Sequence, residues 1–317
     1  MLSLLSGHFW TIAPVLQHRM RPLGAPLAVP WSCELDDPAL GKVSLRGVLR
    51  DLPDSRAAVV IVHGLGGTTG THYCVSAAAA AERLGVSCLR LALRGADRDG
   101  EDFYHAGIAE DLHAALRSPA LARFERLYVM GFSLGGHVTL RYALEAASAH
   151  DPRVRAVAAI CSPLDLELGA QHIDSRSATI YRGHVLTGLK AMYEAVARRR
   201  PVPTPLARVL AVRTLREWDT LTVVPRYGFG SAERYYEQMS VGGELHRLAL
   251  PALLVQHRHD PMVPPWTYER HLSPKHDALE LRWLPAGGHV GYPRDIDLGE
   301  AGPRGVEAQT ISWLLRH

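Results

Sequence analysis

A mostly parallel, doubly wound α/β sheet is the fold the sequence predicts, and three observations predict it. Short continuous apolar runs recur along the chain, at Ala57–Val62, Val154–Ile160 and Ala252–His257, as strands buried on both faces require. Segments of helical periodicity separate them. Glycine-rich loops follow several of the strands, where open α/β sheets gather their ligands. The 317 residues are expected to form one domain, 1–317, with residues 165–248 as a helical insertion within it. A hydrophobic content of 47% with 21% charged residues suits a globular protein with a substantial core.

The N-terminus begins Met1-Leu2-Ser3-Leu4-Leu5 without a positive region or a small-residue cleavage site. No apolar stretch approaches the roughly twenty residues of a spanning helix. A cytoplasmic protein is expected, its N-terminal segment packed on the domain. The alternative is peripheral contact with a lipid surface through Leu4, Leu5, Phe9 and Trp10. Cys33, Cys74, Cys88 and Cys161 form no C-x-x-C pair, which fits reduced thiols. A formal charge of +3 implies no nucleic-acid partner.

Pro22–Pro30 reads as an extended connector. Trp31–Leu35 and Lys42–Leu49 alternate enough to be antiparallel edge strands, with Pro38 and Gly41 at their turn. After the strand Ala57–Val62 come the loop His63-Gly64-Leu65-Gly66-Gly67, an alanine-rich helix over Tyr73–Leu84 and the strand Val86–Leu91. A helix is expected over about Phe103–Leu116, then the strand Arg126–Met130, then a helix over His137–Ala147. Beyond Val154–Ile160 the rhythm breaks. Residues 165–248 carry helical patterns, including Ile180–Arg199 and Pro205–Trp218, and the aromatics Tyr227, Phe229, Tyr235 and Tyr236. An insertion of this size on a rigid sheet reads as a lid or substrate-binding subdomain. The sheet resumes with Ala252–His257 and Leu279–Leu284, and a helix over Arg304–Leu315 closes the chain.

Gly131-Phe132-Ser133-Leu134-Gly135, between predicted strand and helix, has the form of a nucleophile elbow. The turn strains the serine backbone, and the residues two before and two after must be small. A serine hydroxyl attacks only when a base takes its proton, and a carboxylate must orient that base. Asp260 and His289 follow in the order this chemistry requires, each in a loop just past a predicted strand. The oxyanion donors would be the backbone N–H groups of Leu65 and Leu134. The plain alternatives are a helix N-cap for Ser133 and a turn initiator for Asp260. His63 is expected to bond its own loop rather than act as a base. His257 and His259 lack the carboxylate or cysteine cluster of a metal site, so no metal and no cofactor are expected. Arg198-Arg199-Arg200 suits a solvated helix C-terminus, with an anionic lipid surface as the alternative.

These residues resemble the YheT-like α/β-hydrolase family of carboxylic-ester hydrolases. The likeness runs from Gly7-His8-Phe9-Trp10-Thr11 through His63-Gly64-Leu65-Gly66-Gly67, Leu93-Arg94-Gly95 and the Ser133 elbow. It continues through Arg213-Thr214-Leu215-Arg216-Glu217-Trp218-Asp219 to His259-Asp260-Pro261-Met262 and Gly287-Gly288-His289-Val290-Gly291. The resemblance implies an α/β-hydrolase fold, a triad of Ser133, Asp260 and His289, and cofactor-free action on small-molecule acyl esters. Amides and thioesters would use the same residues, and so would a peroxide-dependent halogenation. A relative that only binds a ligand or protein is the alternative of another class. The charged loop Asp97-Arg98-Asp99 departs from the family pattern, and is expected to alter the pocket rim.

Overall fold

The apolar runs form the centre of one sheet. The computed structural model describes residues 2–273 and 276–317, with side chains of the first helix from Leu5 onward. The strands are β1 (Val29–Asp37), β2 (Gly41–Arg50), β3 (Ala57–Val62), β4 (Ser87–Ala92), β5 (Arg126–Phe132), β6 (Val154–Ile160), β7 (Ala252–His257) and β8 (Leu279–Leu284). Their order across the eight-stranded sheet is β1-β2-β4-β3-β5-β6-β7-β8. β2 pairs antiparallel with β1 and β4, and every other pairing is parallel. The helices are α1 (Leu2–Met20), α2 (His72–Arg83), α3 (Glu110–Leu116), α4 (Leu134–Ala143), α5 (Leu166–Asp174), α6 (Thr179–Ala197), α7 (Leu206–Leu210), α8 (Leu215–Leu221), α9 (Val223–Tyr227), α10 (Ala232–Met239) and α11 (Val306–Leu315).

Successive residues of β3 face opposite layers. Ala58, Val60 and Val62 join one core with Leu112 and Leu116 of α3 and Val138 of α4. Ala57, Val59 and Ile61 join the other with Ala77 and Ala81 of α2 and Ile311 and Trp313 of α11. Burial on both faces is why these strands read as unbroken apolar runs. The strand order reverses at β3, so the loops after β3 and β5 open into one crevice, the usual ligand position of such sheets.

Three findings add to or correct these expectations. First, the N-terminal segment expected to pack on the domain does so as a 19-residue helix. Its apolar residues run round most of its circumference, so no single-face period marks it, and Pro14 lies inside it. Second, the helix expected from Phe103 starts only at Glu110. Residues before it are held in a loop by side chains of the insertion: the Ala106 N–H donates to Tyr235 Oη at 2.8 Å, and Tyr227 donates to the Phe103 carbonyl at 2.5 Å. A Cβ on Gly107 would stand 1.9 Å from the Met239 sulfur, so any side chain there would have to displace the Met239 side chain.

Third, Pro205–Trp218 is not one helix but the whole of the short α7 and the start of α8. Thr214 and Glu217 form a capping box, and Asp174 accepts from the N–H groups of Leu215 at 2.6 Å and Arg216 at 3.1 Å. Those acceptors satisfy the free N–H groups of a new helix start, which ends any continuous helix there. The Asp97–Asp99 loop does not shape the rim of the main cavity; its carboxylates pair with Arg46 and Arg199. Arg198 and Arg200 are also engaged, with Glu194 and with the Leu40 carbonyl, so the arginine run is not a free cationic patch.

Candidate active site

β5 ends directly in the elbow. Ser133 has φ 53° and ψ −121°, a strained conformation for a residue with a side chain. The flanking glycines permit it. A Cβ on Gly131 would lie 2.1 Å from the Gly135 carbonyl oxygen, and one on Gly135 would lie 2.4 Å from that of Val62. Ser133 stands at the N-cap position of α4, yet its side chain makes no capping bond. Its hydroxyl instead lies 2.8 Å from His289 Nε2.

The other two predicted residues complete a line. His289 Nδ1 is 2.8 Å from Asp260 Oδ2. Asp260 Oδ1 accepts from the N–H groups of Met262 at 2.8 Å and Val263 at 2.9 Å. Burial alone would raise the Asp260 pKa. Its bonds to His289 and to the two N–H groups outweigh that and hold the carboxyl below its usual range. An ionised Asp260 fixes the proton on Nδ1 and leaves Nε2 free to accept from Ser133.

Leu65 and Leu134, the predicted oxyanion donors, both line the cavity over Ser133. The neighbouring N–H groups are spoken for: Gly64 donates to Tyr73 Oη at 3.0 Å and Gly66 to Tyr104 Oη at 2.7 Å. Among the described residues the Leu65 N–H has no such partner. His63 behaves as expected. Its Nδ1 lies 2.8 Å from the Gly64 carbonyl, its Nε2 accepts from the Leu93 N–H, and burial brings its pKa down to about 4.

The cavity is about 610 Å³ and mostly apolar, with Ile12, Val15, Val185, Leu189 and Trp218 in its walls. Of the insertion aromatics, Tyr235 and Tyr236 face it. Tyr227 and Phe229 instead pack around His105, with ring centroids 4.3 and 5.4 Å away. The insertion also sets His184 and Asp219 in this wall, the latter bonded by the Tyr236 hydroxyl at 2.6 Å.

Sequence reasoning missed the contribution of α1. The His289 N–H donates to Thr11 Oγ1 at 2.8 Å, and Thr11 in turn donates to the Gly7 carbonyl at 2.7 Å. A Cβ on Gly7 would lie 2.0 Å from the His259 carbonyl oxygen, and one on Gly288 would lie 2.1 Å from that of Gly7. The available signal was the Gly7-x-x-x-Thr11 spacing, which puts a glycine and a hydroxyl on one helix face. His257 and His259 do not assemble a metal site. Among the described residues, the one cluster with ligand spacing is Cys161, Asp260 and His289, within 4.8 Å. Asp260 and His289 are committed to each other there, and burial keeps the Cys161 thiol protonated.

Comparison with known proteins places this geometry in a family. Residues 57–292 match the alpha/beta hydrolase fold family. The chain is 28% identical over 251 residues to "Putative esterase YheT" of Escherichia coli, covering 74% of this chain and 70% of that one. It is 25% identical over 177 residues to a monoacylglycerol lipase of Saccharomyces cerevisiae, covering 54% and 39% of the two chains. An esterase of Pyrococcus furiosus superposes with a TM-score of 0.54 at 16% identity, covering 93% and 92%, and speaks to the fold alone. The chain therefore belongs to the alpha/beta hydrolase fold family, as a YheT-like member and a hydrolase in class.

Proposed function

We propose that this protein is a serine hydrolase that cleaves carboxylic acyl esters through a covalent acyl-enzyme. The observation that carries the reading is the hydrogen-bonded line Ser133–His289–Asp260, seated at the floor of an apolar cavity. Ser133 Oγ attacks the ester carbonyl while His289 Nε2 takes its proton. Asp260 keeps Nδ1 protonated and stabilises the imidazolium that forms. The Leu65 and Leu134 N–H groups receive the oxyanion, a contribution of the order of a hundredfold per donor. His289 then gives its proton to the departing alcohol. In the second half it activates water, which releases the acid and restores Ser133.

The chain works in this reading as one domain, 1–317, in which residues 165–248 serve as the lid and acyl-binding insertion. Wall residues from α5, α6 and α8 support that role, since they enclose the cavity on the side opposite the sheet. A cavity of about 610 Å³ lies in the range of small-molecule sites. The test is hydrolysis of chromogenic esters from acetyl to palmitoyl by wild type and Ser133→Ala. The expected result is a rate that peaks at one chain length and falls at least about 10⁴-fold in the variant. An equal rate in both proteins, or no turnover of any ester, would overturn the reading.

A further inference from the structure

Large apolar side chains are exposed mainly in one region of this molecule. Of the ten such residues among the described side chains, seven lie between Leu5 and Val29. Four of them, Leu5, Phe9, Leu16 and Met20, project from α1, and at 100° per residue they fall within about 60° of arc. The buried side of the helix, with Gly7 and Thr11, is turned the opposite way against the His289 loop. So α1 is apolar on both sides: one side is packed on the domain and the other has no cover. Leu23, Leu27 and Val29 continue the bare surface past the end of the helix.

The surface borders the cavity. Leu16 and the exposed Ile180 of α6 are both exposed outside and part of the cavity wall. His8 of α1 stacks on Tyr181 at 5.8 Å, which ties the two helices together along this edge.

Charge selects among the occupants such a face could take. Residues 1–33 contain no Asp or Glu, while Arg19 and Arg21 stand at the end of α1. Among the described residues neither arginine has an acidic partner. Two copies of the chain meeting symmetrically on this face would bring it apolar side chains and further cations, with no carboxylate from residues 1–33 to offset Arg19 and Arg21. A layer of anionic lipid headgroups over acyl chains matches both features, apolar stripe and flanking cations.

We propose that the outer face of α1 and the segment through Val29 dock on an anionic lipid–water interface, with the cavity mouth toward the acyl chains. The orientation of the mouth rests on the ester reading, whereas the docking does not. The test separates them by using vesicles of ether-linked phosphatidylglycerol and phosphatidylcholine, which an esterase cannot cleave. Cosedimentation is measured for wild type, for L5S/F9S/M20S and for R19Q/R21Q. Wild type is expected to bind the phosphatidylglycerol vesicles. The apolar triple variant should bind at least tenfold more weakly while hydrolysing a water-soluble short-chain ester at the wild-type rate. R19Q/R21Q should lose the preference for phosphatidylglycerol over phosphatidylcholine. Failure of wild type to bind either vesicle would overturn the proposal, as would wild-type binding by the triple variant. A dimer in solution that the triple variant dissolves would overturn it in favour of contact between copies.

Discussion

The molecule buries two polar clusters of similar density, and only one of them has the form of a reaction centre. In the first, Ser133, His289 and Asp260 lie in sequence over a cavity. In the second, Arg94 bonds Asp37, Asp102 and Asp111, and Arg226 bonds Asp37 and Asp102, with Tyr227 donating to Asp102. Arg94, Asp102 and Asp111 are nearly inaccessible; against the effect of burial the facing carboxylates raise the Arg94 pKa, and burial raises that of Asp111 against the pull of Arg94. By charge and burial alone, the second cluster would rank as the more perturbed. Among the described residues it lines no part of the cavity over Ser133 and holds no nucleophile, and each oxygen of Asp37, Asp102 and Asp111 already accepts a hydrogen bond. Instead it joins the edge strand β1, the loop before α3 and the α9 helix of the insertion. Perturbed ionisation thus marks both a site and a rivet, and access with unspent hydrogen-bonding capacity separates them.

The largest contrast should come from breaking the rivet. Arg94→Met leaves Asp111 without its cationic partner and Asp37 and Asp102 with Arg226 alone, and removing one partner of a buried pair costs about 3–5 kcal/mol. Chemical denaturation should show that loss, while ester turnover per folded molecule stays near wild type. A variant that stays fully stable, or one that loses turnover while fully folded, would erase the distinction between the clusters.

A smaller effect probes the edge of the site itself. Thr11→Val removes the acceptor of the His289 N–H and keeps the side-chain shape. The expected result is a fall in kcat of about tenfold with KM little changed, because the loop positions the base rather than the ester. An unchanged kcat across the ester series would show that α1 only covers the site.

A third effect is a pH dependence with two opposite signs. Burial pushes Asp219 up to about 7, above the roughly 3.9 of an unfolded chain. A raised carboxyl contributes stability that is present below its unfolded value and lost as pH rises through the folded one. Asp219→Asn should therefore gain of the order of 2 kcal/mol on wild type between pH 4.5 and pH 8. The buried His63, His72 and His105 are pushed down, to about 4, 4 and 3, chiefly by burial. Their contribution is present above about 6.5 and fades as pH falls towards 4. Urea titrations at pH 4.5, 6 and 8 check both slopes. A wild type less stable at pH 6 than at pH 4.5 would contradict the histidine half.

What the sequence disclosed follows the same division between repeated physics and particular contacts. β3, β6 and β7 were legible to the residue because a strand covered on both faces leaves a mostly apolar run, whereas the half-buried edge strand β8 showed as an alternation of Leu279, Leu281 and Trp283 with polar residues. Ser133, Asp260 and His289 were legible because each sits at a strand end, in an order fixed by the chemistry, and the structure brings them within hydrogen-bond distance. The α1 helix was not, since a helix apolar on two sides shows no amphipathic period and its partner is a loop nearly 280 residues away. The α7–α8 break was written locally in Thr214 and Glu217, but its other half, Asp174, is distant in sequence. The loop before α3 depends on tyrosines of the insertion, which no local pattern announces.

The ester-hydrolase proposal stands on Ser133 as the nucleophile and His289 as the base that activates it. The most direct measurement is intact-mass labelling by a fluorophosphonate of wild type, Ser133→Ala and His289→Ala, followed by peptide mapping. The expected result is one adduct per wild-type chain, mapped to Ser133, none in Ser133→Ala, and labelling slowed at least a hundredfold in His289→Ala, of the order expected when a general base is lost. An unlabelled wild type, or an adduct on another residue that survives in Ser133→Ala, would contradict it.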